Sequence, residues 1–167
     1  MKKASRIITF CGIFLFIALA VFSYLYWNTT ITWPKCNDID DLKEYFPPES
    51  DLWFPENEAW HFDSRSTYEL YTMERITRRT SPSGYIVTST CILDGRECTL
   101  RVFFQFSTSS NDNTLGQIHE TDHGYSASIY HSPGLYSLSV SFSDPPESTT
   151  EAFLWIEDQI RSIVQPG

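Results

Sequence analysis

Between residues 85 and 142 the chain alternates repeatedly between apolar and polar side chains with a period of two. Tyr136, Leu138, Val140 and Phe142 alternate with Ser137, Ser139, Ser141 and Ser143. One apolar and one hydroxyl face is the signature of a half-buried antiparallel strand. Tyr125, Ala127 and Ile129 repeat the pattern, and Ser132-Pro133-Gly134 supplies the turn between these two strands. Leu100, Val102, Phe104 and Phe106 mark a third strand, with Tyr85, Val87, Ser89, Cys91 and Leu93 as its partner. A weaker strand is expected around residues 67–77, and residues 59–63 as an edge piece.

The period changes at both ends of this region. Asp38 caps a short helix expected through about Phe46, with acids in its first turn and Pro47-Pro48 as its stop. Near the C-terminus, Ser148 and Glu151 have capping-box spacing, and Phe153, Ile156, Ile160, Ile163 and Val164 recur at helical intervals until Pro166-Gly167. The expected architecture is α+β: an antiparallel meander of four to six strands, packed by a short N-terminal helix and a longer C-terminal one.

Ahead of this domain the pattern disappears into a continuous apolar run. Residues 7–27 carry no charge, and Lys2, Lys3 and Arg6 precede them. About 20 apolar residues span a bilayer as a helix. A basic leading end faces the cytoplasm, and Tyr24, Tyr26 and Trp27 suit the opposite interface. The expected layout is therefore a cytoplasmic tip over residues 1–6, a transmembrane signal-anchor over 7–27, a stalk over 28–37 and an extracytoplasmic domain over 38–167. Cleavage near Ala20, after an A-x-A-like Ala18-Leu19-Ala20, would instead release a secreted chain. It would leave an apolar VFSYLYW terminus, which favours retention of the anchor.

Charge narrows the possible partners. Residues 28–167 hold 21 acidic and 9 basic side chains, a formal charge of −12. Nucleic acid requires a positive footprint and is excluded. The remaining expectation is the membrane through residues 7–27 and a protein partner.

The cysteines carry a register prediction. A turn centred on Asp94-Gly95 pairs 93 with 96, 92 with 97 and Cys91 with Cys98. Directly opposed strand residues lie within disulfide reach, so a structural bridge is expected in an oxidising compartment. Cys36 is left over.

One string suggests catalysis. His119, Glu120 and His123 spell H-E-x-x-H, in which two histidines one helical turn apart bind zinc beside a glutamate base. The motif needs a helix, because four strand residues span about 13 Å, too far for one metal. Gly124 and the alternating residues after it, with polar Thr121 and Asp122 inside the motif, predict strand instead. Trp53 and Trp60, among acids, could form a glycan surface, or plug the edge of the core. Arg75, Arg78 and Arg79 form a small basic spot, and no nucleophile elbow or phosphate loop is present. The leading expectation is a non-catalytic binding or accessory protein that needs no cofactor. A small zinc hydrolase with Glu120 as base and His119 and His123 as ligands is the alternative, and a glycan-binding domain using Trp53 and Trp60 the third.

Overall fold

The computed structural model describes residues 14–24, 33–55, 65–72, 82–107, 116–147 and 149–165. Two compact units divide the chain. The first contributes helix α1, residues 14–24. The second holds the other described α-helices and strands, with a short 3-10 turn at Pro48–Ser50: α2 (Ile39–Lys43), β1 (Arg65–Tyr71), β2 (Gly84–Leu93), β3 (Arg96–Phe106), β4 (Ile118–Thr121), β5 (Gly124–His131), β6 (Gly134–Phe142) and α3 (Thr150–Val164). Among the described residues no helix is long and apolar enough to cross a membrane. Of the span expected over 7–27, only the part within α1 is described.

The α+β class holds, with a six-stranded antiparallel sheet in the order β1-β2-β3-β6-β5-β4. It is not the single meander expected. Two three-stranded meanders meet along β3 and β6, where Leu100 faces Val140 and Val102 faces Leu138. The local turns explain the register. Asp94 and Gly95 both adopt positive φ, 50° and 72°, as the favoured two-residue hairpin demands, and Cys91 faces Cys98 as the spacing predicts. Gly134 begins β6 because a Cβ there would sit 2.3 Å from the Gln105 carbonyl oxygen and 2.5 Å from the Phe104 ring.

One sheet face carries the core. Tyr85, Val87, Leu100, Val102, Phe104, Tyr136, Leu138 and Val140 are each no more than 1% exposed. Tyr85 and Tyr136 grip the segment that follows α2. The Tyr85 hydroxyl donates to the Trp53 carbonyl at 2.5 Å, and the Trp53 N–H donates to the Tyr136 hydroxyl at 3.0 Å. Phe54 stacks on Tyr85 with centroids 4.9 Å apart, and Phe46 meets both rings edge-on. Helix α2 forms as expected at its start: the Asp38 carboxylate accepts from the Asp41 N–H, and Asp41 reaches back to the Asn37 N–H.

Helix α3 covers the other half of this face, and its start departs from the expected capping box. Ser148 lies outside the described residues, and Thr149 at the N-cap makes no side-chain cap bond. The cap comes from the β2–β3 turn, more than fifty residues away in sequence. The Asp94 carboxylate accepts from the Glu151 and Ala152 N–H groups at 3.0 and 3.2 Å, and Glu151 accepts from the Asp94 N–H at 2.6 Å. The reciprocal bonding of a capping box is thus assembled across the fold. The buried stripe is Ala152, Trp155, Ile156, Gln159 and Ile163, whereas Phe153 and Val164 of the expected stripe are exposed.

The first residues of the domain also run along an edge. Cys36 bridges to Tyr68, and the Trp33 indole donates to the Thr72 hydroxyl at 2.6 Å, so residues expected as stalk shield the outer side of β1.

Candidate functional site

Alternation along a strand sends neighbouring residues to opposite faces, so the second face of the sheet follows from the register. Thr88 on β2, Arg101 on β3, Ser139 on β6, Ser126 on β5 and His119 on β4 form one row across it. Ile86, Phe103, Ser137 and Ser128 form the next row. Helices α2 and α3 and the Trp53 segment all pack on the opposite face, where the buried residues lie. The rows therefore floor an open depression of about 410 Å³, bounded by Tyr71 and Ile86 on one side and by Ser126 and Ser128 on the other. That volume is within the range of small-ligand clefts.

The depression has two chemical halves. Phe103 meets Tyr71 edge-on at 5.0 Å and lies opposite Ile86, which makes a half-buried apolar shelf. The other half is hydroxyl. Ser128 and Ser137 pair with each other at 3.2 Å. Arg101 stands between the halves, exposed and flanked across the strands by Thr88 and Ser139. Among the described residues it has no ion pair and no side-chain hydrogen bond, whereas Arg96 and Arg161 each pair with acids.

The H-E-x-x-H string does not form a helix. His119 and Glu120 lie in β4, pointing to opposite faces, and Asp122-His123 is the two-residue turn into β5. The strand expectation holds for His119 and Glu120, but His123 is beyond a bend rather than further along the same strand. Gly124 permits the bend: its φ is 150°, and a Cβ there would lie 2.1 Å from the Val140 carbonyl oxygen. His119, Glu120 and His123 are all exposed, and no group of three His, Cys, Asp or Glu among the described residues is placed to hold a metal. The helical face that a zinc peptidase needs is therefore not built here.

Trp53 is half-buried, held through its backbone by both tyrosines, with its ring edge-on to Tyr136 at 5.7 Å. It plugs the edge of the core. Trp60 and the Arg75, Arg78 and Arg79 spot lie outside the described residues.

Cys91 and Cys98 face each other in the core with their sulfurs 3.5 Å apart, as free thiols. The expected bridge is not formed, because a disulfide requires about 2.0 Å. The register still places the two thiols in contact. The contact between the two thiols lowers the pKa of Cys91 and raises that of Cys98. Cys36 is buried separately, its thiol pushed up by burial and by Asp41 and Asp38.

The sequence shows the outward sets one strand at a time: Arg101 and Phe103 on one, Ser137 and Ser139 on another. Their union required knowing that β3 and β6 are neighbours, which no local turn encodes. Comparison with protein-family models, curated proteins and solved structures gave no match for this chain.

Proposed function

We propose that this chain is a membrane-tethered, extracytoplasmic binding domain without catalysis of its own, and that the open sheet face is its binding surface. The observation that carries this reading is the asymmetry of the sheet. One face is sealed by two helices and the Trp53 segment, while the other keeps a depression whose central Arg101 has no partner among the described residues. An Arg among hydroxyls and next to an aromatic shelf offers donors and apolar area together, the usual composition of a recognition site.

The tether rests on residues 7–27. Within them α1 leaves Phe14, Leu15, Phe16, Ile17, Leu19, Val21 and Phe22 each more than half exposed. A helix apolar on every side suits a lipid surrounding rather than water. The outer location in turn supports oxidation of Cys91 and Cys98 to a disulfide.

Two measurements test the reading. Alkaline extraction of membranes from expressing cells should leave the full-length chain in the pellet, with residues 38–167 open to protease from the outside only. A soluble product shortened near Ala20 would refute the tether. A photo-crosslinking side chain at position 103 should give adducts in intact cells, and one at Leu154 on the outer side of α3 should not. Equal yields from the two positions would refute the open face as the binding surface.

A further inference from the structure

We infer that the open face binds a small monoanionic carboxylate attached to an aromatic or branched apolar body, with Arg101 as the carboxylate receptor. This deepens the reading of that face as a binding surface and rests on it.

The donors come first. Arg101 has no partner among the described residues, and neither do the hydroxyls of Ser139 beside it and Ser126 one strand further on. A guanidinium presents a planar fork of N–H groups that matches a carboxylate with two parallel bonds. Two serine hydroxyls can donate to the remaining lone pairs. Nothing in this row is an acceptor-only group, and the carboxylate of this face, Glu69, stands at the β1 end of the next row, opposite Ile86.

Charge then selects among anions. A single guanidinium balances one negative charge. A phosphate monoester near neutral pH carries close to two. It would leave an unbalanced charge within a domain of formal charge −12. The carboxylate is therefore favoured over phosphate.

Geometry fixes where the rest of the ligand goes. Phe103 follows Arg101 by two residues on the same face, a rise of roughly 7 Å. That is about the length of a phenyl ring carrying a carboxylate. Ile86 and Tyr71 hold Phe103 from two sides. A carboxylate at Arg101 and Ser139 thus places its apolar body on a shelf that is already built, with little to reorganise on binding.

Size closes the description. A cleft of about 410 Å³ is of the size that takes one ring and a short chain.

Phenylacetate and its neutral analogue phenylacetamide are the probes. Each is titrated up to millimolar concentration against the full-length chain in detergent micelles, with binding read by saturation-transfer NMR. Phenylacetate should bind about 10-fold or more tightly than the amide, the contribution expected of charge-assisted hydrogen bonds. Arg101→Met should remove that preference, and Arg101→Lys, which keeps the charge without the fork, should retain part of it. Phe103→Ala should weaken acid and amide alike. Arg101 is exposed, so these variants should fold, and an unchanged circular dichroism spectrum confirms it. Equal binding of acid and amide, an unaltered preference in Arg101→Met, or no binding of phenylacetate to the folded chain would each overturn the inference. If position 103 still gives photo-adducts in cells in those cases, the face remains a binding surface for another chemistry. If those adducts are also lost, the broader reading falls with it.

Discussion

Replacing Asp94 should destabilise the domain well beyond what a turn residue ordinarily contributes, because it holds two structures at once. Its backbone occupies the left-handed region at φ 50°, and its carboxylate receives the first free N–H groups of α3 at 3.0 and 3.2 Å. Loss of an N-cap costs about 1 kcal/mol, within a range of about 0.5–2. Loss of the negative charge from a helix N-terminus adds about 0.3–1 kcal/mol. A non-glycine residue other than Asn or Asp at positive φ costs roughly 1–2 kcal/mol more. Asp94→Ala meets all three terms and should lose about 2–4 kcal/mol. Asp94→Gly escapes the backbone term, so it should be about 1 kcal/mol more stable than the alanine variant. Asp94→Asn keeps an acceptor and tolerates the backbone, and should lose less than about 1 kcal/mol. The assay is urea unfolding of the full chain in micelles, followed by fluorescence, with the buried Trp155 of α3 among the reporters. An alanine variant within about 0.5 kcal/mol of the parent would refute the cap, since that is the range of an ordinary surface change. Equal stability of the alanine and glycine variants would refute the backbone term.

Three further outcomes follow from the core. Burial holds Tyr136 protonated, its pKa pushed up to about 12, and raises that of Tyr85 as well. An unfolded tyrosine loses its proton near pH 10, so above that pH the folded chain holds more protons and stability falls as pH rises, by up to about 1.4 kcal/mol per unit for each tyrosine. Urea unfolding of Tyr136→Phe against the parent should show a shallower decline between about pH 10 and 12; parallel declines would contradict the burial argument. Gly134→Ala should cost about 3 kcal/mol, because its methyl meets the Gln105 carbonyl, whereas Gly95→Ala, at φ 72° with nothing within 4 Å, should cost only about 1; equal losses in thermal unfolding would show that the strand ends shift freely. With oxidised glutathione as the two-electron acceptor, Cys91 and Cys98 should lose their thiol protons and form a bridge while glutathione disulfide becomes two thiols, read as the loss of two reactive thiols in alkylation mass spectrometry. Preferential pairing of Cys36 with either would contradict the register.

The parts of the fold that were legible in the sequence were those written in adjacent residues. Asp94-Gly95 pins a two-residue turn, and from it the whole β2–β3 register follows, including Cys91 opposite Cys98. The alternation of Leu138 and Val140 with serines likewise declares which face of β6 is buried. The break between β4 and β5 is hidden because Asp122-His123 carries no strong turn signal, and the glycine that permits the bend comes just after it. The cap of α3 is hidden for a different reason. Ser148 and Glu151 satisfy the local pattern, but Asp94 reaches the same N–H groups from another part of the chain. The candidate site was the least legible, since Arg101 and Ser139 became neighbours only through the β3–β6 pairing.

That pairing also divides the labour of folding. The β2–β3, β4–β5 and β5–β6 connections are two-residue turns, so these hairpins can form from short-range encounters. The seam between β3 and β6 joins residues such as Cys98 and Phe142, and closing it carries the entropy of the chain between them. Until it closes, each half exposes a central strand with a full row of unsatisfied backbone groups. The seam is therefore expected to be the slow, concentration-sensitive step, and the point at which two chains could exchange halves while preserving every strand pair.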